Sequence, residues 1–257
     1  VFYSNIQDST SILNSKIDKL SIISNDNLIT LSQDGLGVFN SDSFSFNQIR
    51  LNSRPVSIVE DKSSEKYWIA TENSGYYIID SKFNLEDHFV FDPLNPLSIS
   101  TSKLANNSDK SIIISESRVF IATNNGFNVF NKKLKTFKRY FKGKKSKLTS
   151  NNIIGIEKYG EVLLIASENE LVLFNIASSS FESLVSIPSS IKSLFSSPEG
   201  DIFIRALNSD YQVSIDTNSL KINPIKAGTI PDTEKITVIN NNFLFWNKSS
   251  TKVTKTD

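Results

Sequence analysis

Apolar residues along this chain fall in short runs. The runs are rich in β-branched and aromatic side chains and are bounded by Asp, Asn, Ser, Gly or Pro. One stretch holds several in close succession: Val56-Ser57-Ile58-Val59, Trp68-Ile69-Ala70, Tyr76 to Ile79, and Phe89-Val90-Phe91. Runs of that length between turn-forming residues predict β-strands joined by tight connections. No window of about 11 residues or more sustains an apolar stripe at helical spacing, so stacked helix pairs are excluded. The middle runs are apolar at successive positions, which fits strands covered on both faces.

The runs themselves repeat. The phrase from Trp68 to Asp80 returns from Phe120 to Asn131 and again from Leu164 to Asn175. A weaker copy runs from Leu28 to Asn40, and a worn one from Phe203 to Asp216. Taking the isoleucine before the small residue as a ruler (Ile29, Ile69, Ile121, Ile165, Ile204), the steps are 40, 52, 44 and 39 residues. Steps of roughly 40–50 residues with four strands apiece are the mark of propeller blades. The expected fold class is all-β, a β-propeller of four-stranded blades. Ala70, Ala122 and Ala166 share one repeated position, where crowding between blades would favour a small side chain.

The units read as 17–52, 53–100, 101–147, 148–186, 187–230 and 231–257 plus 1–16, within a single domain 1–257. In the last unit Ile236-Thr237-Val238-Ile239 and Phe243-Leu244-Phe245-Trp246 predict two strands, and Lys252-Val253-Thr254 a third. Val1-Phe2-Tyr3-Ser4 resembles Tyr140-Phe141 at the end of another unit, so it would supply an outer strand. That strand would close the ring and remove exposed sheet edges. This makes six blade-equivalents; part of a seven-bladed ring or a longer array is the competing reading.

Composition narrows the chemistry. Net charge is +1 over 257 residues, which gives no bulk attraction for nucleic acid. There is no Met, even at position 1, so the sequence is expected to be a processed or excised piece. There is no Cys and a single His, His88, so thiolate chemistry is excluded and a His/Cys metal cluster is not expected. A Ser-His-Asp triad could use only His88, whose context is an outer strand, and no catalytic residue is assigned. The glycines stand singly at turns, with no nucleotide-binding loop, and no cofactor is expected. Glu60-Asp61, Glu72 and Glu168 could pair for glycoside hydrolysis by residue type alone, and Glu60-Asp61 reads first as a strand end and turn.

Binding is better placed on the loops after the repeated strand: Gln33-Asp34-Gly35, Glu72-Asn73-Ser74-Gly75, Asn124-Asn125-Gly126 and Glu168-Asn169-Glu170. Asn and Asp before Gly are hairpin residues first. In a propeller, however, these loops emerge at one end, where Asn and Glu side chains can hydrogen-bond polar groups in several directions. Arg54 and Arg205 add cationic donors, and Arg suits planar carboxylates, so an acidic sugar is conceivable. The candidate ligand-binding set is Arg54, Glu72, Asn73, Asn124, Asn125, Glu168, Asn169 and Arg205. The basic run Lys132 to Lys147, with aromatics interleaved, reads as an outer strand guarded by lysines against edge pairing; contact with anionic polysaccharide or lipid headgroups is the alternative.

The second unit adds a resemblance. It carries Val59-Glu60-Asp61, then Tyr67-Trp68-Ile69-Ala70-Thr71, Gly75 and Asp80, then Asp92-Pro93-Leu94-Asn95-Pro96-Leu97-Ser98. This is similar to the two-component regulator propeller repeat, and the likeness extends over residues 17 to about 184. The resemblance implies a sensor propeller from outside the bacterial inner membrane, periplasmic or extracellular, anchored through a segment not present here. It implies an oligosaccharide or other polar small ligand and a downstream signalling module or partner subunit, with a dimer conceivable for the full-length protein. Members of that family usually hold two seven-bladed rings and an immunoglobulin-like module, and this chain holds neither. A scaffold propeller that binds another protein, and a propeller carbohydrate-active enzyme, are the competing classes.

Overall fold

The computed structural model describes residues 2–23, 27–104, 110–196, 200–216, 219–224, 235–239 and 242–246, the last two segments as backbone. Every regular element among them is a β-strand. The chain divides into two compact units, Val1–Tyr140 and Phe141–Asp257.

The first unit holds three four-stranded antiparallel sheets, each built from consecutive strands. The first blade is β1 (Ile17–Ile23), β2 (Asn27–Ser32), β3 (Gly35–Asn40) and β4 (Ser45–Arg50). The second is β5 (Pro55–Asp61), β6 (Lys66–Thr71), β7 (Tyr76–Ile79) and β8 (Leu85–Phe89). The third is β9 (Ile112–Ile114), β10 (Arg118–Thr123), β11 (Gly126–Asn131) and β12 (Thr136–Tyr140). In the second unit, β13 (Ile153–Tyr159), β14 (Val162–Ser167), β15 (Glu170–Asn175) and β16 (Ser180–Ser186) form one blade. The next is β17 (Ile191–Ser196), β18 (Ile202–Ala206), β19 (Asp210–Asp216) and β20 (Ser219–Pro224). A two-stranded sheet, β21 (Lys235–Ile239) with β22 (Asn242–Trp246), follows. The fold is that of β-propeller blades; the third strand expected at 252–254 lies outside the described residues.

Alternation along a strand explains the all-apolar runs. On β6, Tyr67 and Ile69 join Ile29, Leu31 and Leu36 of the first blade in one core layer. Trp68 and Ala70, pointing the other way, join Val119, Ile121, Phe130 and Phe137 of the third. The Trp68 ring stacks on Phe89 at 5.8 Å and meets Phe130 edge-on at 5.2 Å. In the second unit Leu164, Ala166, Leu171 and Leu173 pack with Leu194, Ile204, Tyr211 and Val213. Ala70, Ala122 and Ala166 are fully buried.

A bulge recurs in the first strand of four blades, between Ile17 and Lys19, Pro55 and Ser57, Ile153 and Gly155, and Ile191 and Ser193. It fixes the register and corrects the sequence ruler. Leu31, not Thr30, lies opposite Lys19 just after the bulge, as Ala70 lies opposite Ser57. The first-blade equivalent of Ile69 is therefore Thr30, one residue beyond Ile29. The last residue of the second strand carries a hydroxyl that closes the hairpin: Ser32, Thr71 and Thr123 donate to the carbonyls of Gly35, Gly75 and Gly126 at 3.3, 2.9 and 2.8 Å. The Asn or Asp that ends each phrase caps the next hairpin. Asn40, Asp80, Asn131 and Asn175 accept from the backbone N–H groups of Ser43, Lys82, Leu134 and Ser178.

Two expected strands differ. The outer strand of the second blade is Leu85–Phe89, not Phe89-Val90-Phe91. Its face is largely solvated, so it lacks an apolar run, while Val90 and Phe91 already lead into the next connection. Residues 2–5 form no strand; the Phe2 ring instead packs edge-on against Phe39 and Phe46 of the first blade, at 5.5 and 5.3 Å.

Candidate functional site

Strands alternate in direction within a blade. The hairpins after second strands and the connections between blades therefore fall at the same end of each sheet. In the first unit two such hairpins, Gln33-Asp34 and Glu72-Asn73-Ser74, and two connections with their flanking strand ends, contributing Asn14, Lys16 and Asp18 and Arg50 to Arg54, line an open cavity of about 880 Å³. The backbone welds these pieces together. Leu51 N donates to Asp34 O at 3.2 Å, and Glu72 N donates to Arg54 O at 2.9 Å. Asn73 N donates to Ser53 Oγ at 3.0 Å. Gly75 makes the second hairpin possible: its φ is +68°, and a Cβ there would lie 2.1 Å from the Phe89 carbonyl oxygen. His88 stacks flat on Tyr77 at 3.8 Å, and its Nε2 bonds the Ser74 carbonyl oxygen at 2.7 Å, buttressing that hairpin from outside.

The lining is polar and mixed in charge. Lys16, Arg50 and Arg54 face it with Asp18, Asp34 and Glu72, and Leu51 is its one large apolar residue. Two of the carboxylates are already engaged: Asp18 pairs with Arg54 Nε at 3.1 Å, and Asp34 accepts from Asn14 Nδ2 at 2.7 Å. Lys16 and Arg50 meet no carboxylate among the described residues. A smaller cavity of about 360 Å³ adjoins it, lined by Ser4 to Ile6, Leu13 to Ser15 and Gln48. Asn14, Asp34 and Arg50 line both cavities.

Of the residues singled out from sequence, Arg54, Glu72 and Asn73 line this cavity. Asn124 and Asn125 sit in the corresponding hairpin of the third blade and do not line it. Asn125 Nδ2 donates to Ser100 O at 3.3 Å, while the buried Asn128 amide accepts from Ser100 N and donates to Ser100 Oγ, both at 2.9 Å. Those bonds tie a connection to its blade. Glu168 and Asn169 belong to the second unit. Glu168 is exposed and accepts from Ser150 Oγ at 3.3 Å, whereas Glu170 in the same loop turns inward to accept from Ser167 Oγ and Thr149 N at 2.6 and 2.7 Å. Arg205 stands on β18 at the position of Ala70, Ala122 and Ala166 in three other blades, and its guanidinium pairs with Asp210 at 3.3 Å across the hairpin. It is a strand-pairing residue with most of its surface covered. Sequence reasoning missed Asn14 and Lys16, on a connection without a repeat signature, and Asp18 and Arg50, at the strand ends beside the connections; the spacing of two arginines in Arg50-Leu51-Asn52-Ser53-Arg54 was the available signal.

Three cations of the basic run, Lys132, Lys135 and Arg139, are committed within the first unit. Lys132 Nζ pairs with buried Asp61 at 2.5 Å and bonds Ser63 Oγ, and Lys135 pairs with Asp87 at 2.9 Å. Arg139 donates to the carbonyls of Asn95 and Ser98 and to Ser98 Oγ, all at 2.5 Å, and lies over the Phe91 ring. It thereby clasps the Asp92–Ser98 loop. Burial pushes the Asp61 carboxyl up, but the bonds from Lys132 and Ser63 outweigh it and hold the group below the usual carboxylate range. Among the described residues no group of three or more His, Cys, Asp or Glu could hold a metal ion, and no helix is long and apolar enough to cross a membrane.

No protein-family model matches the chain, and no curated protein matches it in sequence. Solved structures do match in fold. The extracellular domain of one hybrid two-component system from B. thetaiotaomicron superposes with a TM-score of 0.67 at 15% identity, over 91% of this chain and 32% of that one. A second such domain from the same organism gives 0.63 at 13% identity, over 87% and 32%. The β-propeller domain of Myceliophteria thermophila Swd1 gives 0.58 at 12% identity, over 82% and 72%. The propeller fold is thus shared, and the bacterial matches are of the kind the repeat resemblance implied. The chain spans about a third of the length of those two bacterial domains.

Proposed function

We propose that this chain is a ligand-binding part of the extracytoplasmic sensor region of a bacterial signal-transduction protein, and that its ligand is an oligosaccharide. The observation that carries the reading is the open cavity of about 880 Å³ between two hairpins and two connections, whose lining is hydrogen-bonding almost throughout. Loops held by a rigid scaffold are where recognition is built. Glu72, Asn73 and Lys16 offer polar groups that other side chains of the lining have not taken up, and the Arg50 guanidinium makes one long bond, to Gln48 Oε1 at 3.5 Å. The shared fold with extracellular domains of hybrid two-component systems supports the cellular setting. In this reading the chain works within a longer, membrane-anchored protein, and a bound ligand biases a downstream signalling module by binding one arrangement better than another. Arg54 is a positioning residue here, since its pair with Asp18 shapes the wall.

Isothermal calorimetry of the 257-residue chain against a panel of neutral and acidic oligosaccharides tests this. The expected result is saturable heat with no release of reducing ends. Asn73→Ala with Glu72→Gln should weaken binding by about tenfold, a loss of about 1.4 kcal/mol, while Asn124→Ala should leave it unchanged. Turnover of a bound sugar would move the protein to the carbohydrate-active enzymes. Heat unaffected by the Asn73 and Glu72 substitutions would remove the site.

A further inference from the structure

The cavity's charge balance and its continuation carry the reading further, to the class of oligosaccharide. We propose that the ligand is an uncharged, extended oligosaccharide lying along both adjoining cavities, with Arg50 and Asp34 at the middle of its path; this rests on the binding role proposed above.

The first argument is charge. Three cations and three carboxylates line the larger cavity. A uronate or sulfated sugar would meet Asp18, Asp34 and Glu72 as well as the cations, and a cationic sugar would meet the reverse. A neutral hydroxyl both donates and accepts, so it can bond a guanidinium and a carboxylate at once. A lining of balanced sign satisfies many such hydroxyls without leaving a charge opposed. Arg54 is already paired with Asp18, which leaves Lys16 and Arg50 against Asp34 and Glu72, two charges of each sign.

The second argument is shape. The two cavities share Asn14, Asp34 and Arg50, so the lining runs on from the Glu72–Ser74 hairpin to the Ser4–Ile6 segment. A compact monosaccharide would use one end of that path, whereas a linear chain would use all of it. Among the described residues, no aromatic ring lines either cavity. Binding is therefore built from hydrogen bonds spread along the chain, and affinity should grow with each added sugar until the path is full.

Calorimetry with the whole chain tests both parts. The neutral probes are cello-, xylo-, manno- and arabino-oligosaccharides from disaccharide to hexasaccharide, and the acidic probes are oligogalacturonides of the same lengths. The expected result is a neutral series whose affinity rises at least about tenfold with length, is insensitive to salt, and exceeds that of the acidic series. Arg50→Ala should weaken the neutral hexasaccharide about tenfold. Ile6 is 94% exposed, so Ile6→Asp leaves folding intact; it should weaken the hexasaccharide at least about threefold and leave the disaccharide unchanged. Tighter, salt-sensitive binding of oligogalacturonides would overturn the neutral assignment while keeping a sugar-binding site. Neutral binding without length dependence, or indifferent to Ile6→Asp, would overturn the extended path. Heat from neither series would overturn the binding role itself.

Discussion

Lys132→Met tests the polar tie between the second and third blades. Asp61 ends β5 with its side chain 3% exposed, and Lys132 follows β11 with its side chain 17% exposed. Removing the ammonium leaves the buried carboxylate with its serine donors alone: Ser63, from Oγ at 2.7 Å and from N at 3.2 Å, and the Ser64 side chain. Breaking a buried pair from one side costs about 3–5 kcal/mol. The Ser63 bonds and the partial exposure of Lys132 place this case near about 3 kcal/mol on that scale. Urea unfolding followed by fluorescence of buried Trp68, in a Trp246→Phe background, reads it directly; the midpoint should fall by about 1–2 M. Asp61→Asn added to Lys132→Met should recover most of the loss, because no uncompensated charge remains.

The pH dependence of that loss has a definite sign. In the parent protein the Asp61 carboxyl is held below its ordinary value, so its contribution is full above about pH 4 and is lost as pH falls through the lowered value. Without Lys132, burial prevails and raises the carboxyl, so acid relieves the variant by protonating it in the folded state. The two stabilities should converge between pH 7 and about pH 4. A loss under about 1 kcal/mol, or one that stays constant over that range, would refute the reasoning.

Other outcomes follow from single sites. Gly75→Ala must move a Cβ away from the Phe89 carbonyl and adopt a left-handed backbone, and should cost about 2–4 kcal/mol by thermal unfolding. Arg139→Met frees the Asp92–Ser98 loop from its three bonds; hydrogen exchange should accelerate at Asn95 to Ser98 while the β11 amides keep their protection. Complete burial of Tyr76 raises its phenol far above the ordinary value, so its stabilising share is present below about pH 10 and disappears as alkali favours the unfolded chain. Titration followed at the tyrosinate absorbance should show one phenol that ionises only with unfolding, and its replacement, Tyr76→Phe, should remove that step.

The blades were legible because burial on both faces writes an unbroken apolar run into β6, β10 and β14. Outer strands such as Leu85–Phe89 were not, because solvent on one side lets Glu86, Asp87 and His88 stand where a core strand would be apolar. The one-residue slip at Ile29 arose because Ile29, Thr30 and Leu31 all fit a buried strand, and only the bulge opposite them sets the register. Glu72 and Asn73 were found because their hairpin repeats. Lys16, Asp18 and Arg50 were missed because connections between blades and the strand ends beside them have no period, and their meeting depends on how two neighbouring blades bring separate segments together. Arg205 looked available in sequence, but its partner Asp210 lies directly across a hairpin whose register the sequence alone left open.

Hydrogen–deuterium exchange of the whole chain, with and without a saturating neutral hexasaccharide, tests the binding account most directly. Ligand should slow exchange in 14–18, 50–54 and 72–74 and at Ser4 to Ile6, and leave the hairpin at Asn124 and Asn125 unchanged. Protection confined to residues beyond Tyr140, or spread evenly over all blades, would contradict it.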